Sequence, residues 1–379
     1  MIAQTLAMAS SSHEVTIAAF GIPKDAEAPA GIAEVIRLER PSVGGIVANL
    51  LRAPSEPLQA HLFMSSSARS ALSDWARRNA PSVVMVDMIR LAGYARCLRR
   101  EVPEARIVLD MDDLLSDRYR QMRGGNGDIL GSFASGMPKV VRKAASALPS
   151  VLLSVESVLM EKAESRARDE MDAVVLVSGL EARKLAGRGS GAASVHDVPP
   201  TVADLPPVPR DFSRGVRFVF FGDETYAPNA EALAIFDRIA ARFPGVRFQA
   251  AGRIDSAVKT RHVERLGFVE DLDAFLGPDA IMLAPIMTGT GIKTKLLDAF
   301  SRSVPVIATR KGLEGIDVPV PEGAIAVEGE AAFVEQVKQV LGTPDFGGVE
   351  RIGLVGHAAV RVSHEDGRVR RNLASALGS

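Results

Sequence analysis

Between positions 288 and 298 the chain reads TGTGIKTKLLD. Thr288, Gly289, Thr290 and Gly291 form a turn whose glycines tolerate positive φ and carry no Cβ, so successive backbone N–H groups can close on an anion. A helix expected from about Gly291 points its positive end at the same place. Lys293 and Lys295 add full charges beside it. Asp298 follows Gly291 by about two helical turns and projects from the same face. A cradle for an anion with a carboxylate two turns further on suits a nucleotide, its phosphates at the turn and its ribose hydroxyls at the carboxylate.

The flanking sequence says what must hold this turn in place. Ile281–Ala284 and Val304–Thr309 are continuous apolar runs on either side of the amphipathic stretch Gly291–Arg302. Val216–Phe221 and Val246–Ala251 are further runs of the same kind, as are Val15–Phe20, Val83–Asp87, Arg106–Asp110 and Val174–Ser178 in the first half. Short apolar runs separated by helices mark parallel sheets covered on both faces, so all eight are expected to be buried strands. Helices are expected at Ser67–Asn79, Gly93–Glu101, Ala227–Phe243, Gly291–Arg302 and Glu330–Leu341, and over a long region from Pro138 to Met171 that Pro149 should end or kink.

At 379 residues the chain is long enough for two domains. The proline-dense segment His196–Gly215 is the clearest boundary. The expected organisation is an N-terminal domain 1–198, a linker 199–215, a second domain 216–350, and a helical tail 351–379 that packs back on the first domain. Two doubly wound sheets so joined leave a cleft, the default place for a ligand beyond the carboxyl ends of parallel strands. The net charge of −1 argues against a nucleic-acid partner. The single cysteine, Cys97, excludes an internal disulfide and a cysteine-based metal cage and reads as a small buried apolar side chain. No apolar run reaches membrane-spanning length and no secretory leader is apparent. A cytoplasmic location follows as the expectation, compatible with peripheral association at the inner membrane face.

Asp110, Asp112 and Asp113 close the run RIVLDMDD. Two readings stand side by side. One places a carboxylate at the reacting centre; the other has these residues cap the following helix. A third treats Asp110 and Asp112 as a metal-binding pair, against which the two-sheet layout argues. Arg118 and Tyr119 lie on the same segment. Glu314 follows the run Val304–Thr309 at its carboxyl end, where it either meets a ligand in the cleft or belongs to a turn solvated by water. His61, His196 and His262 are assigned no role, and Trp75 is expected in the core.

At these residues the chain resembles the GT-B glycosyltransferases of family 4, in particular the branch found in bacterial polysaccharide biosynthesis. The second half carries the likeness most clearly, through FVFFGDETYAPNAEAL, FQAAGR, LGFVEDLDAFL and the block from Ile281 to Ile316; HEVTIAAFG, APSVVMVD, RIVLDMDDLLSDRY and VVLVSGLEA carry it in the first half. The resemblance implies an α/β GT-B fold, two Rossmann-like doubly wound domains facing across a cleft. It implies transfer of a sugar, with retention, from a nucleoside diphosphate sugar to a glycan, lipid-linked or protein acceptor, with no cofactor and no metal. It implies a donor site built from Gly222, Arg253, Thr288, Gly289, Thr290, Gly291, Lys293, Lys295, Asp298 and Glu314, with Asp110, Asp112 and Lys293 nearest the chemistry. Asp298 takes the place of the family's ribose-binding glutamate. The family's other acidic residue falls on Thr290, and its loop arginine and lysine fall on Gly222-Asp223-Glu224 and Asn229, so Lys293 and Lys295 are expected to supply the missing charge. The family's opening strand and Gly-Gly turn have no counterpart ahead of HEVTIAAF, and Gly44-Gly45 comes too late to be that turn; the expectation is either a truncated start or a first sheet that lacks an edge or inner strand. A non-catalytic or partner-dependent GT-B protein that binds a nucleotide sugar, and a nucleotide-sugar epimerase, are the alternatives.

Overall fold

The computed structural model describes residues 2–23, 27–122, 149–189, 191–255, 257–289, 291–343 and 345–379. Contacts divide the chain into unit 1, Met1–Pro199 with Val369–Ser379, and unit 2, Pro200–Arg368.

Unit 2 is built on a six-stranded parallel sheet of β7 (Arg217–Phe221), β8 (Arg247–Ala251), β9 (Glu264–Gly267), β10 (Ala280–Ala284), β11 (Val306–Ala308) and β12 (Ile325–Ala326), in the spatial order β9-β8-β7-β10-β11-β12. The order reverses between β7 and β10, whose register pairs Phe218 with Ile281 and Val219 with Met282. This is the switch point of a doubly wound sheet, where a crevice opens at the strands' carboxyl ends. The helices are α9 (Ala227–Ala240), α10 (Leu272–Phe275), α11 (Thr294–Ser301), α12 (Arg310–Leu313), α13 (Glu330–Leu341) and α14 (Gly347–Ser363). Phe218, Phe236 and Phe248 interlock at 5.1 and 5.3 Å between ring centroids, so β7, β8 and α9 are fixed to one another by burial worth roughly 1.5–3 kcal/mol per ring.

Unit 1 contains α1 (Ile2–Ala9), β1 (Val15–Phe20), β2 (Ile32–Leu38), α2 (Val43–Arg52), α3 (Leu58–Phe63), α4 (Ser66–Asn79), β3 (Val83–Asp87), α5 (Ala92–Glu101), β4 (Arg106–Asp110), α6 (Leu115–Met122), α7 (Pro149–Glu170), β5 (Ala173–Leu176), α8 (Gly179–Ala186) and β6 (Ser194–Asp197). Its strands form two parallel sheets, β1-β2 and β3-β4-β5-β6. A final helix, α15 (Asp366–Leu377), buries Val369, Leu373 and Ala376 against Val108, Ala173 and Val175, and so completes the core of unit 1.

Several expectations need correction. Val15–Phe20 and Val83–Asp87 are strands, but half-buried ones: in β1 no residue is fully buried, and in β3 only Val86 is. The helix after the 288–291 turn starts at Thr294, because Gly291 has φ +72° and Lys293 has φ −85° with ψ 89°, neither of them helical. Gly44 and Gly45 belong to the first turn of α2, capped by the Ser42 hydroxyl accepting from Gly45 N–H. Of the long helix expected from Pro138, residues 138–148 lie outside the described residues.

Candidate functional site

The carboxyl ends of β7 and β10 bring two loops together. The loop after β7 contains Gly222, with φ +156°, and leads through Asp223 to Asn229 in the first turn of α9. The loop after β10 contains Thr288, Gly289 and Gly291 and leads to Lys293 and α11; Thr290 lies outside the described residues. The Thr288 hydroxyl donates to Glu231 Oε2 at 2.7 Å, and a Cβ on Gly289 would stand 3.4 Å from the Tyr226 hydroxyl, so the second loop lies against the start of α9.

Lys295 ties the two loops. Its Nζ donates to Asn229 Oδ1 and lies 4.7 Å from the centroid of the Phe220 ring on β7. Asn229 in turn donates through Nδ2 to Asp223 O at 2.8 Å. The ammonium therefore comes from α11 to the very loop on which the sequence shows no basic residue. Burial, and next the charge of Lys293, lower its pKa to about 8. It is still mostly charged at neutral pH and stands in a poorly hydrated place, where a charge acts strongly on a neighbouring anion. Lys293 Nζ donates to Gly291 O at 2.6 Å, on the turn itself.

Close approach explains the two glycines at the ends of β7 and β8. A Cβ on Gly222 would fall 2.6 Å from Lys295 Nζ, and one on Gly252, at φ +132°, would fall 2.0 Å from Gly222 O. Gly252→Ala is therefore expected to destabilise unit 2 by about 3 kcal/mol or more, through a clash and a forbidden φ together. Thermal melting should show this, with Gly245→Ala, also at positive φ but in open space, costing clearly less.

The other donor-site candidates surround this centre. Asp298 lies on α11 with 48% of its side chain exposed; partial burial raises its pKa, and Arg302, 4.0 Å away, opposes that rise. Arg302, at i, i+4, is its ionic neighbour. Arg253 is exposed on the loop after β8, its carbonyl accepting from Glu224 N–H at 3.0 Å, and its charge helps Thr225 keep the Asp223 carboxyl below the usual range. Glu314 ends α12, half-buried and paired with Lys311. Thr309 caps α12 by accepting from Gly312 N–H at 2.9 Å, and its hydroxyl donates to Ile286 O, which fixes this corner to the end of β10.

In unit 1 a second cluster lies at the carboxyl ends of β3 and β4. Asp87 and Asp110 are register partners on those strands. Asp110 is buried and accepts from Asp112 N–H at 3.0 Å. Burial pushes its pKa up to about 7; the charges of Asp87 and Asp112 add to the rise, and the Asp112 N–H opposes it. Burial also raises Asp87, with Asp112 adding and Arg90 opposing. Asp112 sits at φ +63°, a conformation that aspartate tolerates better than most residues. Asp113 pairs with Arg118, and the Tyr119 hydroxyl is buried with no hydrogen-bond partner among the described residues. Asp87 is the member that the sequence does not single out, because it ends an ordinary apolar run. Among the described residues no three His, Cys, Asp or Glu side chains are grouped to hold a metal ion, and no described helix is long and apolar enough to cross a membrane.

Residues 205–343 match the family described as Glycosyl transferases group 1. No curated protein sequence matches the chain. Solved structures superpose on nearly all of it. A sucrose-phosphate synthase from Thermosynechococcus elongatus does so with a TM-score of 0.64 at 13% identity, over 98% of this chain and 90% of that one. HepE of Anabaena, solved with UDP and glucose, gives 0.63 at 11% identity over 100% and 95%. The lipopolysaccharide outer core galactosyltransferase WaaB, in its apo form, gives 0.62 at 14% over 100% and 94%. Identities this low speak for the fold, which is GT-B, an α/β fold of two Rossmann-like domains. Within it, residues 205–343 carry the signature of a group 1 glycosyltransferase domain.

Proposed function

We propose that the protein is a retaining glycosyltransferase that moves a sugar from a nucleoside diphosphate sugar to an acceptor hydroxyl in glycan or polysaccharide biosynthesis. The observation that carries this reading is the ammonium of Lys295, held by Asn229 beside Gly222 at the switch point of the unit 2 sheet. In this reading the diphosphate takes the 288–291 turn, and Lys293 and Lys295 offset the charge that grows on it as the sugar leaves. This reading calls for no metal ion. Asp298 and Glu314 bind hydroxyls of the ribose and the sugar, and Arg253 adds a charge at the rim. Unit 1 supplies Asp110 and Asp112 for proton handling at the acceptor, a glycan, lipid-linked or protein hydroxyl. We place the protein in the cytoplasm, where nucleotide sugars are made.

Release of nucleoside diphosphate from a panel of nucleotide sugars tests the reading. One donor should be turned over slowly in water and faster with an acceptor extract. Asp298→Ala should weaken binding of the matching nucleoside diphosphate by about tenfold, the loss of one charge-assisted pair of hydrogen bonds. Binding with no turnover under any acceptor would point to a non-catalytic nucleotide-sugar binder. An altered sugar formed without acceptor would point to an epimerase. No binding of any nucleotide sugar would remove the basis of all three.

A further inference from the structure

Three arginines of unit 1 follow the carboxyl ends of three successive strands. Arg40 comes after β2, Arg90 after β3 on the turn Ile89–Leu91, and Arg118 lies on α6 after β4. Phe63, the last residue of α3, gathers two of them. The Arg40 guanidinium stands over its ring at 5.2 Å from the centroid, and that of Arg90 at 4.9 Å. The ring is itself held in place. Phe63 O accepts from the Tyr94 hydroxyl at 2.8 Å, and Phe20, at the end of β1, meets the ring edge-on with 6.0 Å between centroids. Arg118 is fixed by the buried Asp113.

Packing alone does not call for this arrangement. One guanidinium over an aromatic face is a favourable contact, but two on the same ring bring like charges together. Arg90 shows the strain: burial lowers its pKa, Tyr119 and Asp87 oppose, and Arg118 and Arg40 lower it further. Arg40 is exposed, and among the described residues it forms no ion pair. The carboxyls nearby do not absorb this charge. Asp113 is engaged by Arg118, and burial raises both Asp87 and Asp110, the latter to about 7, so this pair resists carrying two full charges. The backbone at the strand ends is strained as well. Met88 has φ +75° and Asp112 φ +63°, and Met88 N–H donates to Asp110 O at 2.6 Å. Cations held together against their repulsion, beside strained backbone, at the end of a parallel sheet where ligands bind, mark a place for an anion.

We propose that unit 1 binds its acceptor through an anionic group, a phosphate or a carboxylate, which Arg40 and Arg90 receive and Arg118 supports with its charge. This rests on the reading that unit 1 takes the acceptor. It narrows that acceptor from any molecule with a hydroxyl to one with a negative charge close to the hydroxyl. A guanidinium suits either anion, since its planar fork donates two parallel hydrogen bonds to paired oxygens. Arg90 follows Asp87 closely in the chain, and Asp87 is the register partner of Asp110. A hydroxyl handled at that pair of carboxyls therefore lies near the anion.

Titration calorimetry on the full chain tests this without turnover. The probes are methyl glucoside, its 6-phosphate and methyl glucuronide, together with phosphatidylcholine vesicles with and without phosphatidic acid. At least one anionic probe should bind about tenfold or more tighter than its neutral counterpart. Arg40→Gln should remove most of that preference, and Arg90→Gln should act alike. Arg40 is exposed, so its variant folds and decides the matter even if Arg90→Gln does not fold. Lys295→Met should leave the preference intact, because the anion sits in unit 1 and not at the turn of unit 2. Tighter binding of the acidic vesicles than of the soluble anions supports the proposal with a lipid as the source, and the reverse supports it with a sugar. Equal affinity for all three glycosides and both vesicles, no binding of any anion, an unchanged preference in Arg40→Gln, or its loss in Lys295→Met would overturn it. Donor turnover with a neutral acceptor as good as a charged one would do so too, while leaving the transferase reading standing. Anion binding lost in Arg40→Gln, by a chain that takes no nucleotide sugar, would keep the anion site and remove the transferase reading instead.

Discussion

Lys295→Met should weaken binding of the cognate nucleoside diphosphate by about 100-fold at pH 7 and leave a cooperatively folded protein. The methionine keeps the length of the stem and its packing on Phe220 but removes the charge. The fold should tolerate the change because the ammonium is itself under strain from burial, with its pKa lowered to about 8. Between that value and the ordinary 10.5 the unfolded chain holds the proton more tightly, so stability gained from the native lysine rises with pH there, and at pH 7 the variant should melt no lower than the wild type. The pH dependence separates a charge effect from a shape effect. Wild-type affinity should fall as pH rises through about 8, where the amine loses its proton, and the Met variant should show no such inflection. Asn229→Ala should give a smaller loss, since it frees the ammonium without removing it. Titration calorimetry at pH 7 and 9 reads all three. Unchanged affinity in Lys295→Met would detach the diphosphate from this loop.

The unit 2 site was legible where chemistry is local. The glycines and lysines of TGTGIKTK are what make the sequence propose an anion turn, because φ freedom and charge belong to single residues. The apolar runs either side declare buried strands because β7, β10 and β11 are covered on both faces. What could not be read was where Lys295 goes. It meets Asn229, distant in sequence and adjacent only because β7 and β10 pair. The same Asn229 reads in the sequence as a missing basic residue, and in the fold it is what holds one in place. In unit 1 the runs Val15–Phe20 and Val83–Asp87 look buried because composition reports what a strand is suited to, whereas exposure depends on which neighbours are present. Asp87 was hidden for a related reason: its importance comes from register with Asp110, which no single run contains.

Asp110→Asn should make the protein more stable and less active. In the folded chain burial holds the Asp110 carboxyl at about 7, against an ordinary 3.8. Between those values the native state keeps a proton that the unfolded chain has released, so Asp110 lowers stability progressively as pH rises from about 4 to about 7, and the full cost is present above that. Asparagine cannot ionise, and its Oδ1 can still accept from Asp112 N–H. The variant should therefore gain on the order of 2 kcal/mol at pH 8 and almost nothing at pH 4, as read by denaturant melts at both values. If Asp110 handles the acceptor proton, transfer should rise with pH around a midpoint near 7 in the wild type, and Asp110→Asn should lose about 10²–10⁴-fold and the inflection with it. The two readouts separate the possible roles. A gain in stability with unchanged transfer makes Asp110 a buried carboxyl with no part in the chemistry. A loss of transfer with no gain in stability at pH 8 means that Asp110 is ionised in the native state at far lower pH, so that an environment other than burial governs this end of the sheet. Only the joint outcome, stability gained and transfer lost, fits a carboxyl kept near neutrality at a cost to the fold because the reaction needs a proton acceptor there.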